Sequence, residues 1–146
     1  MNRFFLPLVL LIALVFGVKF YFAKLELAPI SVLSCAHITK SCGNEMFTVQ
    51  FDEAPQVMKP LHLHLHINRA EAVKSIHVDF AMQNMEMGLN RYRLIQASQS
   101  DAWQAEVTLP ICVQGRSDWN MLLEIEAGKK IQRFKLPFSA KANRAN

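Results

Sequence analysis

Leu61-His62-Leu63-His64-Leu65-His66-Ile67 alternates apolar and polar side chains without a break. Successive side chains of a β-strand point to opposite faces, so this stretch reads as a strand. Its leucines and Ile67 enter a core, and its three imidazoles stand in one outward row. The same period of two runs through 46–51 and 75–82, and further strands are expected over 92–96, 103–109, 121–127 and 131–138. Turn signals separate them at 52–55, Gly88, 99–101, Pro110 with Gly115, and Gly128. About seven short strands at this spacing predict an all-β fold, an antiparallel immunoglobulin-like sandwich. Gly128-Lys129 between two apolar runs reads as a two-residue hairpin connection with glycine where φ must be positive. The predicted core holds Leu123, Ile125, Phe134, Leu136, Phe47, Val49, Phe51, the 61–67 row, Phe80 and Trp103. Together they bury enough apolar surface for one domain of about 100 residues.

The 146 residues are 51% apolar, but unevenly so. Residues 4–23 carry a single charge, Lys19. Twenty residues at about 1.5 Å each span a hydrocarbon core of about 30 Å, with Lys19 able to snorkel and Tyr21 at the interface. The sequence that follows, Ala23-Lys24-Leu25-Glu26-Leu27, lacks the small residues of a signal-peptide cut. Leu33-Ser34-Cys35 is similar to a lipoprotein box but lies more than ten residues beyond the run, too far to serve it. The expected organisation is an uncleaved N-terminal transmembrane helix in 1–24, a juxtamembrane linker in 25–44, the sandwich in 45–138 and a tail in 139–146.

Taking away Arg3, Lys19 and Lys24 leaves 13 basic residues against 12 acidic ones, a formal balance of +1 in place of +4. The signs are interspersed and no Lys/Arg cluster with interleaved aromatics occurs, which argues against nucleic acid as a partner. The positive-inside balance across 4–23 is nearly even. The short amino-terminal flank and the three cysteines favour an oxidising compartment for the domain. The expectation is a single-pass protein of a bacterial inner membrane with its C-terminal domain in the periplasm.

Three features carry chemistry. The imidazoles of His62, His64 and His66 would stand with Cα atoms about 6.6 Å apart, within reach of a common copper or zinc ion; alternatively the strand simply uses histidine as its solvent-facing residue. Met82, Met85 and Met87 fall within six residues at the end of a strand. Thioethers select Cu(I), and Met85 with Met87 would share a side of an extended chain while Met82 enters the core; the competing reading is that all three plug one end of the sandwich. Cys35, Cys42 and Cys112 allow one intramolecular bridge and leave one thiol. A local Cys35–Cys42 disulfide is the first choice, with Cys112 pairing to either as the alternative. No Gly-x-Ser-x-Gly, His-Glu-x-x-His, Gly-x-Gly-x-x-Gly or phosphate loop occurs, and no nucleophile, base and charge stabiliser can be assembled, so no enzyme activity is expected. His77 and Asp79, two apart on one outward face, read as solvated.

The run from Val78 through Met82-Gln83-Asn84-Met85-Glu86-Met87-Gly88-Leu89-Asn90-Arg91-Tyr92, with the later Leu109-Pro110-Ile111-Cys112 and Trp119, resembles a group of proteobacterial membrane-anchored proteins of unassigned activity. These carry Met-x-Met-Gly-x-Asn-Arg and Leu-Pro-x-Cys stretches, and the resemblance covers residues 35–138. In its architecture, an anchor followed by a small sandwich with a Met-rich loop, the chain is also similar to FixH-like and YtkA-like extracytoplasmic domains. That likeness implies a link to copper and respiratory oxidase assembly, carried onto Met85, Met87, Met82 and Cys112. It also implies structural roles: Gly88 supplying a turn, Asn90 bonding backbone there, and Arg91 pairing with Glu86 or Asp79.

Two functions are therefore expected to compete. One is an anchored extracytoplasmic accessory protein that binds copper and hands it to a membrane complex such as a respiratory oxidase. The other is an anchored scaffold or assembly subunit that holds a partner by a sheet edge or apolar patch and carries no metal. The first requires the Met and His groups to converge, and the second lets them face different ways.

Overall fold

The computed structural model describes residues 29–35, 37–69, 72–85, 88–98, 101–111 and 116–141. The apolar run at 4–23, Glu86, Met87, Cys112 and the tail after 141 lie outside the described residues. Among those described, no helix is long and apolar enough to cross a membrane.

The described chain is all-β. Its strands are β1 (Ile30–Val32), β2 (Cys42–Gly43), β3 (Phe47–Phe51), β4 (Pro60–Ile67), β5 (Val73–Met82), β6 (Arg91–Arg93), β7 (Ile95–Gln96), β8 (Ala102–Thr108), β9 (Asp118–Ala127) and β10 (Lys130–Ser139). They form two five-stranded sheets, in the orders β1-β10-β9-β5-β6 and β2-β3-β4-β8-β7. Every pairing is antiparallel except that of β1 with β10. The inner faces of both sheets share one core, giving a β-sandwich.

The alternation in the sequence becomes the alternation in burial. Leu61, Leu63, Leu65 and Ile67 are buried, while His62 and His66 are exposed and His64 half-buried. All the side chains named above as core are buried. Phenylalanine rings cross between the sheets: Phe47 meets Phe134 at 4.9 Å between centroids, and Phe51 meets Phe138 at 5.8 Å and Phe80 at 6.3 Å. The β9–β10 hairpin turns at Gly128-Lys129 with φ of +60° at Gly128, pairing Ala127 with Lys130 as the sequence predicts.

Two differences from the sequence reading concern strands with no periodicity to reveal them. Residues 25–44, read as a linker, contribute β1 and β2, one edge strand of each sheet. Each is two or three residues long and takes its conformation from the neighbour it pairs with. The β2–β3 connection is tied by Asn44, whose Oδ1 accepts from the N–H groups of Met46 (2.9 Å) and Phe47 (3.2 Å). Gly43 is required here, because a Cβ at this position would lie 2.0 Å from the Phe47 carbonyl oxygen. The predicted single strand over 92–96 is the second difference. It splits into β6 in one sheet and β7 in the other, with Leu94 buried at the crossing and its N–H donating to Ile76 O (2.9 Å).

Tyr92 secures that crossing. Its hydroxyl donates to Thr108 O (3.0 Å) and accepts from Thr108 N–H (3.1 Å), joining β6 of one sheet to β8 of the other. Asn90 Nδ2 reaches the same carbonyl at 3.4 Å. In chemical denaturation, Tyr92→Phe is expected to cost about 1–2 kcal/mol, because both backbone groups of Thr108 lose this partner. Gly43→Ala is expected to cost about 2 kcal/mol, as the β2–β3 turn must open to admit the methyl group. An unfolding midpoint unchanged in either variant would contradict these assignments.

Candidate functional site

The three histidines of β4 face outward on the β2-β3-β4-β8-β7 sheet. His64 Nε2 lies 3.0 Å from Asp52 Oδ2, and His66 Nδ1 lies 3.4 Å from Asn68 Oδ1. Across the ladder, His62 is opposite Glu106, His64 is between Gln50 and Gln104, and His66 is between Thr48 and Ala102. The row is thus broken into separate local contacts. Among the described residues, no three His, Cys, Asp or Glu side chains come together as they would around a metal ion.

Met82 and Met85, the two candidate methionines among the described residues, belong to the end of β5 in the other sheet. Met82 is buried in the core, as its place in the alternation predicts. The chain does not stay extended after it: Gln83-Asn84 turn, with φ of +54° at Asn84 and Met85 N–H directed to Met82 O at 3.4 Å. Asparagine tolerates this left-handed conformation better than most residues. The turn leaves Met85 half-buried, packed against the core cluster and lining a cavity with Asp79, Ala81, Asn120 and Leu122 on the outer side of the β1-β10-β9-β5-β6 sheet. The histidine row and Met85 therefore belong to opposite outer faces. A Cβ at Gly88 would meet nothing within 4 Å.

Cys35 and Cys42 are joined by a disulfide with Cα atoms 5.8 Å apart. It closes the segment that leads from β1 in one sheet to β2 in the other. His37, whose sequence position lies inside this loop, shares a surface cleft with both cysteines and Lys40.

Sequence reasoning missed the charge ladder across the β1-β10-β9-β5-β6 sheet. Arg91 donates to Asp79 Oδ2 and to Glu124 Oε1, both at 2.8 Å, and Arg133 donates to Glu124 Oε2 at 3.0 Å. The pairing of Arg91 with Asp79 was an expected one; the link through Glu124 follows from strand order, which no local pattern encodes. Burial pushes Asp79 above the usual carboxylate range, outweighing the opposing pull of Arg91. Burial also acts on Glu124, but hydrogen bonds from Arg91 and Arg133 prevail and hold it below that range. The ladder commits both arginines. Lys135, half-buried beside it, has no ion-pair partner among the described residues.

Compared with known proteins, the chain matches no family model, no curated protein and no solved structure.

A depressed carboxylate stabilises the fold above its ordinary range, and that contribution is lost as pH falls through the folded-state value. Asp79, raised, runs the other way: its ionisation weighs against the fold as pH rises through its own folded-state value. Glu124→Gln is therefore expected to lose about 2 kcal/mol at pH 7. The deficit should shrink toward pH 3, as read from urea unfolding across that range. A deficit independent of pH would mean that the arginines do not depend on this carboxylate's charge.

Proposed function

We propose that this chain is a membrane-anchored accessory protein without catalytic activity. In this reading an immunoglobulin-like sandwich is carried on the extracytoplasmic side of a bacterial inner membrane by a helix over 4–23, and it holds a protein partner at a sheet edge. The observation that carries the reading is the separation of the candidate ligands. The histidine row and Met85 lie on opposite outer faces, which suits a scaffold and opposes a shared copper site.

Edge strand β1 supports the same reading. All three of its residues are exposed, with Ile30 at 50% and Val32 at 67%, and among the described residues one side of the strand has no neighbour in its sheet. The strand is short and Pro29 precedes it, but no charge interrupts its exposed apolar residues. It begins seven residues after the apolar run ends, so a partner meeting it would be a membrane protein with an extracytoplasmic segment. The copper-delivery reading instead requires Met85, Met87 and some of His62, His64 and His66 to act together, with a respiratory oxidase as the recipient.

A photo-crosslinking side chain placed at Val32 in the full chain, in membranes of its native host, is expected to give a discrete adduct. The same group at Gln50, on the opposite outer face, is expected to give none. Adducts at neither position, together with one-to-one Cu(I) binding that is lost in His64→Ala/His66→Ala or in Met85→Leu/Met87→Leu, would replace the scaffold reading with copper delivery.

A further inference from the structure

Among the described residues the two sheets end in four edges, β1 and β6 on one, β2 and β7 on the other. β2 and β7 are two residues each, and β6 carries Arg91 and Arg93, so these edges are too short or too charged to template another strand. β1 differs, and its ladder shows which of its main-chain groups are free. Leu33 N–H donates to Lys135 O at 2.9 Å. The main-chain groups of successive strand residues point to alternate sides, so Ser31 and Leu33 address β10, while the N–H and C=O groups of Ile30 and Val32 point away from it. Whatever pairs with β1 must meet those two residues.

The tether narrows the occupant. β1 begins seven residues after the apolar run ends, which at about 3.3–3.6 Å per residue holds it within about 25 Å of that run. A second copy of the chain, tethered by the same length, presents its own β1 at the same height. We infer that β1 pairs antiparallel with β1 of a second copy about a two-fold axis at Ser31, joining the two sheets into one. In this register Ile30 faces the second copy's Val32 and Val32 faces its Ile30, and each pair exchanges two hydrogen bonds through the groups that β10 leaves free. A register shifted by one residue would set each free group opposite one already turned toward β10, and a shift by two would keep a single bonded pair. Aliphatic side chains meet across both pairs, on the face that carries Arg133 and Lys135 of β10. Those cations do not oppose the pairing. Lys135 and the second copy's Arg133 lie three strand spacings apart, about 14 Å, beyond a screening length of about 8–10 Å. The inference rests on the reading of β1 as the docking edge of an anchored protein, and it names the partner there.

Full chains carrying Cys112→Ser and one new cysteine are oxidised in membranes of the native host and separated without reductant. Ser31→Cys is expected to convert most of the chain to a species of twice its mass, because Ser31 and its copy form a non-hydrogen-bonded pair with Cα atoms about 4.5 Å apart, within disulfide reach. Ile30→Cys and Val32→Cys, each about 7–8 Å diagonally from its own copy, are expected to link poorly. Val32→Pro removes an N–H that β10 does not use, and Val32→Lys places a charge on the edge. Each is expected to abolish the Ser31→Cys dimer and to leave the unfolding midpoint of the chain unchanged. Equal linking at all three positions, or a Ser31→Cys dimer that survives both substitutions, would overturn the inference. The absence of any Ser31→Cys dimer beside a discrete Val32 photo-adduct to a different protein would also overturn it, while leaving the proposed function standing. Neither dimer nor adduct would remove both readings.

Discussion

Everything else in this fold depends on the phenylalanine rings between the two sheets. Phe47 and Phe51 stand on β3 of one sheet, and Phe80, Phe134 and Phe138 on β5 and β10 of the other. Each such ring contributes about 1.5–3 kcal/mol on burial, and tilted or edge-on contacts add to it. Phe80 meets Phe138 edge-on at 6.2 Å and Tyr92 at 6.1 Å, which extends the seam to the crossing between β6 and β7. Because rings on alternate residues must all face inward, the register of every strand pair is fixed, and with it which polar groups share an outer face.

That constraint decides the functional geometry. With the leucines of β4 turned inward, His62, His64 and His66 have no choice but the opposite face. With Phe80 and Met82 turned inward on β5, Asp79 and Ala81 face outward, and the loop carrying Met85 folds back onto them. The histidine row and Met85 thus belong to different sheets of the sandwich. The same registers bring Asp79, Glu124, Arg91 and Arg133 together from four strands, a constellation that packing alone assembles.

Much of this was legible in the sequence, and the reason is the period of two. Stretches long enough to alternate several times, from 46–51 to 131–138, each appear as strands, and their inward residues are the observed core. What stayed hidden has no period. β1 and β2 are too short to alternate, and the break between β6 and β7 falls at Leu94, one residue inside an otherwise uniform run. The local Cys35–Cys42 bridge was readable from proximity in sequence. The cavity at Asn120 was not, because a single asparagine in a strand looks like any solvated residue until its neighbours Pro137 and Ala81 are known to flank it.

The chain changes sheet four times along its length, after β1, β4, β6 and β8, and the first change is closed by a covalent bond. A pull on the amino-terminal end enters the domain at β1. A three-residue edge strand by itself would peel from β10 one hydrogen bond at a time. The disulfide bypasses the loop after β1 and delivers part of the load directly to β2, hence to β3 and the aromatic seam in the opposite sheet. Once β1 is stripped from β10, the bridge between Cys35 and Cys42 passes the load straight into β2 without drawing out the residues between the two cysteines.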